Sequence, residues 1–271
     1  MTKQTARVAG EEVGIQCTDE AVMKAFLARP SDDQSHPAII VIHEAWGLND
    51  QIRSVAERYA EEGFVALAPH LFVRNSDLLT EKNIESAMKL MWSVPPEKRN
   101  DPTTIQGVMA KATDVQRKVY ELFFQGREAM ETAMVDDLLS CVRFLREHPR
   151  VRGDRLGATG FCMGGGLTYQ LATLYPLRAA VPFYGANPKP LEAVAKIQGA
   201  VLGIYAGNDG RINAEVPALV EQMLKHQKDF TLKVYPGTEH AFFNDTRPVY
   251  DRSAAEDSWQ RAVAFFRQHL D

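Results

Sequence analysis

An α/β architecture built on a mostly parallel sheet is what this sequence predicts, and three features carry that reading. Several short apolar runs, AIIVIH at 38–43 the most continuous, have the composition of strands buried on both faces. These runs alternate with helical segments of amphipathic spacing, as in βαβ units of about thirty residues each. A glycine-rich turn, Gly160-Phe161-Cys162-Met163-Gly164-Gly165, joins one such run to one such helix.

The elements follow in order. Around VGIQC and AVMKAFLA two strand-like runs end at Arg29-Pro30 and the polar stretch SDDQSH, which predicts an N-terminal antiparallel hairpin. AIIVIH is the first parallel strand. Asn49 is a helix N-cap, behind which Ile52, Val55, Ala56, Tyr59 and Ala60 recur at helical spacing until Gly63 stops the helix. FVALAP is the next strand. Between about 71 and 125 the strand rhythm lapses into a polar, helix-prone segment with Trp92, the breaker Pro95-Pro96 and the start signal Asp101-Pro102-Thr103. That segment reads as a helical insertion over the sheet. A helix from about Arg127 to His148 carries the apolar stripe Met134, Leu138, Cys141, Val142 and Leu145. RLGATGF, AAVPFYG, GAVLGIYAG and FTLKVYP are the remaining strands, with helices from Met163 and near 214–227.

Composition bounds the function. The chain has 271 residues, 45% hydrophobic and 24% charged, and reads as a single globular domain over 1–271. With 31 Lys and Arg against 35 Asp and Glu, and no basic block, nucleic acid is not expected as a partner. MTKQTARVAG lacks the apolar core of a signal peptide, and no run approaches the roughly 18 apolar residues of a membrane span. The expectation is a cytoplasmic protein that does not enter the membrane, a monomer or small homo-oligomer. Three cysteines without a CxxC pair point to reduced thiols rather than a disulfide framework.

The chemistry concentrates at Cys162. G-x-nucleophile-x-G between strand and helix needs small residues two before and two after the nucleophile, because the backbone turns sharply there. The following helix directs its positive end and free N–H groups at this position, which favours a thiolate and an oxyanion. A hydrolase of this kind needs an acid and then a histidine, each after a later strand. Asp209 in AGNDGRI and His240 in TEHAFF occupy those places, in the chain order Cys162, Asp209, His240. Asp245 is a rival acid, but it follows the histidine. Glu44 directly follows AIIVIH and stands beside the elbow in surroundings too apolar for a solvated loop. The N–H groups of Ala45 and Met163 are the candidate oxyanion donors.

These motifs make the chain resemble the dienelactone hydrolase family, over nearly the whole length from Val41 to Leu270. HEAWGLNDQIRSVAERYAEEGFVALAP is similar to the family's first βαβ unit, GFCMGGG to its cysteine elbow, YAGNDG to its acid loop and EHAFFNDTRPVYDRSAAEDSW to its histidine loop and closing helix. The resemblance implies an α/β-hydrolase fold with Cys162, Asp209 and His240 as triad. It further implies that Glu44 is the glutamate that activates the cysteine when substrate arrives, that Ala45 and Met163 are the oxyanion amides, and that no cofactor or metal is needed. Two positions differ. Asn244, four residues after His240, stands where family members carry an arginine for the substrate carboxylate, and His70 follows Pro69 where an aspartate is usual. The expected function is therefore a cysteine-dependent hydrolase of small-molecule carboxylic esters or lactones, not of dienelactone specifically.

Trp46, Phe72, Trp92, Tyr184 and Asn244 are the expected pocket residues, and Arg74, Arg99, Arg117 and Arg127 are alternative carboxylate anchors. His43, Cys17 and Cys141 read as core. The seven histidines include no pair at zinc-binding spacing, and neither G-x-G-x-x-G nor a P-loop is present, so neither metal nor nucleotide is expected. The alternative from another class is a non-enzymatic binding or redox-sensing protein on the same fold, with Cys162 an oxidisable thiol.

Overall fold

The computed structural model describes residues 8–99 and 101–271. Eight strands form one sheet: β1 (Val8–Gln16), β2 (Val22–Pro30), β3 (His36–Ile42), β4 (Val65–Pro69), β5 (Val151–Phe161), β6 (Ala179–Phe183), β7 (Ala200–Ala206) and β8 (Phe230–Tyr235). Their spatial order is β1-β2-β4-β3-β5-β6-β7-β8. β1 and β2 pair antiparallel from Val8 opposite Pro30 to Gln16 opposite Val22, and β2 runs antiparallel to β4. From β4 onward every pairing is parallel. The expected hairpin and parallel sheet are both present.

The unbroken apolar run of β3 has a physical reason. Ala38, Ile40 and Ile42 face one hydrophobic core, and Ile39 and Val41 face the other. Helices α5 (Arg127–Glu147) and α6 (Met163–Leu174) cover the first face, and α1 (Asp50–Glu61) and α9 (Arg252–Leu270) the second. A strand sandwiched in this way has no solvent face on which to place polar residues. α1 starts where expected: the Asn49 side chain accepts from the N–H of Ile52 at 3.3 Å, and Gly63 takes φ +95° just beyond the helix end.

Between 71 and 125 the described residues form α2 (Glu81–Trp92), α3 (Pro102–Met109) and α4 (Asp114–Tyr120), followed by a π-type turn at Glu121–Gln125 that leads into α5. Asp101 caps α3 by accepting from Thr104 N–H at 2.8 Å, as the Asp-Pro-Thr signal predicts. Thr113 and Gln116 form a reciprocal capping box at α4. The segment is tied down at its start by Arg74, whose guanidinium binds fully buried Asp137 of α5 through two contacts of 2.6 and 3.0 Å. Two short helices, α7 (Gly210–Asn213) and α8 (Val216–Lys225), complete the fold between β7 and β8.

Because the parallel strands all point the same way, their following loops converge on one edge of the sheet. Glu44 follows β3, Cys162 follows β5, Tyr184 follows β6, Asp209 follows β7 and His240 follows β8.

Candidate active site

Cys162 sits between β5 and α6 with φ +56° and ψ −113°, a conformation that costs a non-glycine residue energy. Its neighbours show what enforces it. A Cβ on Gly160 would stand 2.2 Å from the carbonyl oxygen of Gly164, and one on Gly164 would stand 2.4 Å from that of Ile42. The Cys162 N–H donates to Phe183 O at 3.1 Å, which anchors the turn to β6. At the start of α6 the Met163 N–H has no intrahelical acceptor, and among the described residues neither it nor the Ala45 N–H finds another. Ala45 and Met163 thus each carry a backbone donor without an acceptor among the described residues.

Asp209 is buried and divides its two oxygens. One accepts from the Ile212 N–H at 3.4 Å, capping the turn that follows, and the other binds Nδ1 of His240. Asp245 is exposed, and the described structure shows no bond from it to His240. Burial opposes a charge on His240, but the Asp209 carboxylate and the neighbouring Cys162 sulfur outweigh it and raise the imidazole to about 10. The Cys162 side chain acts on the ring both as a hydrogen-bonding partner and through its charge, so sulfur and imidazole lie close.

Glu44 is 3% exposed, so its carboxylate is almost wholly removed from water. Asn244 donates from Nδ2 to Oε2 at 2.6 Å, and the Tyr184 hydroxyl donates to Oε1 at 3.5 Å. Burial raises the Glu44 carboxyl above its ordinary value, and Asn244, His240, Arg247 and Tyr184 offset this only in part. Tyr184 is itself buried, with φ +38° and its ring centroid 4.9 Å from that of His240. It therefore touches both the glutamate and the histidine.

His43 has a place that its apolar surroundings in the sequence did not disclose. Nδ1 lies 2.6 Å from the carbonyl oxygen of Glu44, and Nε2 lies 3.2 Å from the N–H of Leu71. An amide N–H only donates and a carbonyl only accepts, so the ring is neutral with its proton on Nδ1. Desolvation holds it so, lowering its pKa to about 4. The Glu44–Ala45 peptide is planar, and its carbonyl and N–H point in opposite directions. By holding the Glu44 carbonyl, His43 also sets the direction of the Ala45 N–H.

A cavity of about 190 Å³ opens at Cys162. Tyr184, Ala45 and Met163 line it, and Trp46, Phe72, Trp92 and Asn244 stand outside its lining. Phe72 is buried against the His43 ring at 4.9 Å, and Trp46 stacks edge-on with half-exposed Trp92 and lies under the Arg247 guanidinium. Asn244 is buried on Glu44 and presents no group to the cavity. Of the four candidate arginines only Arg127 reaches the cavity, where it is paired with Glu131 at 2.7 Å. Arg99 and Arg117 donate to backbone carbonyls of their own segment, and Arg74 is held by Asp137. Sequence reasoning missed the apolar walls: Met88 of α2, Phe123 of the π-type turn, Met130 of α5, Leu167 of α6 and Ile212 of α7. No local motif marks them, since four of the five come from separate elements brought together only by the fold and the fifth from the turn entering α5.

A family model described as the dienelactone hydrolase family matches residues 23–270. A candidate carboxymethylenebutenolidase of Saccharolobus solfataricus is 46% identical over 251 residues, covering 93% of this chain and 96% of that protein. Another, of Escherichia coli K12, is 30% identical over 282 residues, covering 94% and 90%. The crystal structure of a candidate dienelactone hydrolase from Klebsiella pneumoniae superposes with a TM-score of 0.74 at 27% identity, covering 97% of this chain and 99% of that one.

Proposed function

This chain is a member of the dienelactone hydrolase family, and on that premise we propose that it hydrolyses carboxylic esters or lactones through an acyl-enzyme on Cys162. One observation supports the reading above all: the bonded pair Asp209–His240 stands close to a cysteine at a strained strand-to-helix turn. The thiol proton passes to His240, and the sulfur attacks the carbonyl carbon. The resulting oxyanion is met by the N–H groups of Ala45 and Met163, which have no competing acceptor among the described residues. Collapse breaks the ester C–O bond, and the departing oxygen takes the proton from His240. A water then gives its proton to His240 as its oxygen attacks the thioester. The acid is released, and the proton returns to sulfur. Asp209 fixes the tautomer of the ring and stabilises its charged form.

Glu44 supports this cycle by pairing with Cys162 and activating it when substrate arrives, the role the family resemblance implies for it. Asn244 and Tyr184 hold its two oxygens. With Asn244 neutral in place of an arginine and Arg127 used by Glu131, Arg211 and Lys189 are the cationic side chains of the cavity left to meet a substrate carboxylate.

Turnover of aryl esters, enol-lactones, thioesters and peptides by the wild type and by Cys162→Ala tests the proposal, with mass spectrometry to find the acyl group on Cys162. Loss of ester or lactone turnover in the variant together with an acyl adduct on Cys162 is expected. Undiminished turnover by Cys162→Ala would overturn the acyl-enzyme, and an oxidisable Cys162 in a protein that turns over nothing would favour the sensor reading.

A further inference from the structure

The cavity at Cys162 does not end at its own walls. A second hollow of about 760 Å³ runs outward between α5, α6 and the turn at Leu191–Lys196, and the two share Phe124, Arg127, Glu131, Gln170 and Lys189 as lining. The two hollows therefore adjoin, and a molecule in the inner cavity extends toward the outer groove past these shared side chains.

The groove has a consistent character. Phe124 and Leu174, two large apolar side chains left half exposed, both line it, with Val135 and Ala193 beside them. Its charges nearly cancel: Arg127, Lys189 and Lys196 stand against Glu128, Glu131, Asp136 and Glu192, and Arg127 is already paired with Glu131. Charges of both signs favour neither an anionic nor a cationic tail, whereas an alkyl or aryl chain would cover apolar surface that water now wets.

Resting on the esterase reading, we infer that the groove is a tail subsite, and that the substrate is an elongated ester or lactone whose neutral apolar chain runs from Cys162 past Phe124 to Leu174. The inner cavity takes the reacting carbonyl and the first few atoms, and the outer groove takes the rest. A fully buried methylene is worth about fourfold in affinity, and one lying in a groove open on one side about twofold.

Two ester series test this with the full-length protein: p-nitrophenyl esters from acetate to dodecanoate, which lengthen the acyl side, and acetates of alcohols from ethanol to dodecanol, which lengthen the other. A rise in kcat/KM of about twofold per methylene beyond the short members of one series is expected. In Ala193→Trp, which fills the groove, and Leu174→Gln, which removes its apolar end, the ratio of long-chain to acetate kcat/KM should fall about tenfold and threefold. A flat dependence in both series, or variants that leave the ratio unchanged, would overturn the subsite while acetate turnover keeps the hydrolase reading intact. If no ester is turned over, the hydrolase reading fails instead. Calorimetric binding of N-ethyl to N-dodecyl acetamide then decides the groove: tighter binding with length supports it, and equal binding overturns it.

Discussion

Asn244 and Glu44, 200 positions apart in the chain, meet in a buried 2.6 Å hydrogen bond whose direction is set by a third residue. The Asn244 carbonyl oxygen accepts from both the N–H and the hydroxyl of Thr246, at 3.0 and 2.7 Å, so the amide NH2 must face Glu44. A glutamate buried in apolar surroundings would otherwise lack a strong donor at Oε2. Asn244→Ala should lower stability by about 1–3 kcal/mol, the cost of leaving a buried polar group unsatisfied. Urea denaturation at neutral pH measures it, and a loss below 0.5 kcal/mol would mean that solvent reaches Glu44.

Glu44 itself should trade stability for activity. Its carboxyl is raised in the folded state, so the folded protein holds the proton more tightly than the unfolded chain. Its contribution is greatest at acidic pH and declines as pH rises from about 4.5 through the raised value. Glu44→Gln keeps the shape without that decline. The variant is expected to match the wild type in stability near pH 4, to exceed it at pH 8, and to lose most ester turnover at both. Thermal melting and turnover across that range check both halves.

His43 should act as a positioning residue through the Ala45 N–H. An asparagine at 43 can place its NH2 near the position of Nδ1, whereas a glutamine reaches instead toward Leu71. His43→Asn is therefore expected to keep most of the activity, and His43→Gln to lose about a hundredfold in kcat with KM little changed, the size of effect that a displaced oxyanion donor produces. A merely structural role would lower stability in both variants without this split. The wild type should also lose stability as pH falls from about 6.5 toward 4, because the unfolded chain binds a proton that folded His43 refuses.

The raised imidazole of His240 should set the alkaline limit of turnover. The stabilisation it draws from Asp209 and Cys162 is fully present below pH about 6.5 and disappears as pH passes about 10. Ester turnover should hold through the weakly alkaline range and fall near pH 10, where the ring no longer carries a proton for the leaving group. In Asp209→Asn the fall should move to lower pH. An unchanged alkaline limb in that variant would break the link between the two residues.

The elbow glycines should tolerate no side chain. With 2.4 Å between a Cβ on Gly164 and the oxygen of Ile42, the backbone of α6 would have to move away from β3. Gly164→Ala is expected to lose about 3 kcal/mol or more, or to fail to accumulate as folded protein. Gly166→Ala, whose Cβ would meet nothing closer than 3.6 Å, is the matched control.

Much of this was legible in one dimension because it rests on local chemistry. Asn49, Asp101 and Gly63 punctuate helices through their own side chains or backbone freedom, and AIIVIH reports burial on two faces through composition alone. Cys162, Asp209 and His240 were readable because each lies in the loop immediately after a strand, and parallel strands bring such loops to one edge. The pocket was not readable in the same way. Trp46, Phe72 and Trp92 were natural choices as large aromatic residues near the motifs, yet Phe72 packs on His43, Trp46 lies under Arg247 and Trp92 packs edge-on against Trp46.

By itself the sequence determined the α/β architecture, the strained turn at Cys162 and the chain order of its partners, since periodicity, glycine placement and strand-end loops are properties of neighbouring residues. Only the tertiary structure decided that His43 holds the Glu44 carbonyl, that Asn244 is spent on Glu44, and that Met88, Phe123, Met130 and Ile212 wall the cavity. Those relationships join residues between 1 and 200 positions apart. Side-chain direction and the closure of separate elements over the sheet edge create them, and neither is written in any local pattern.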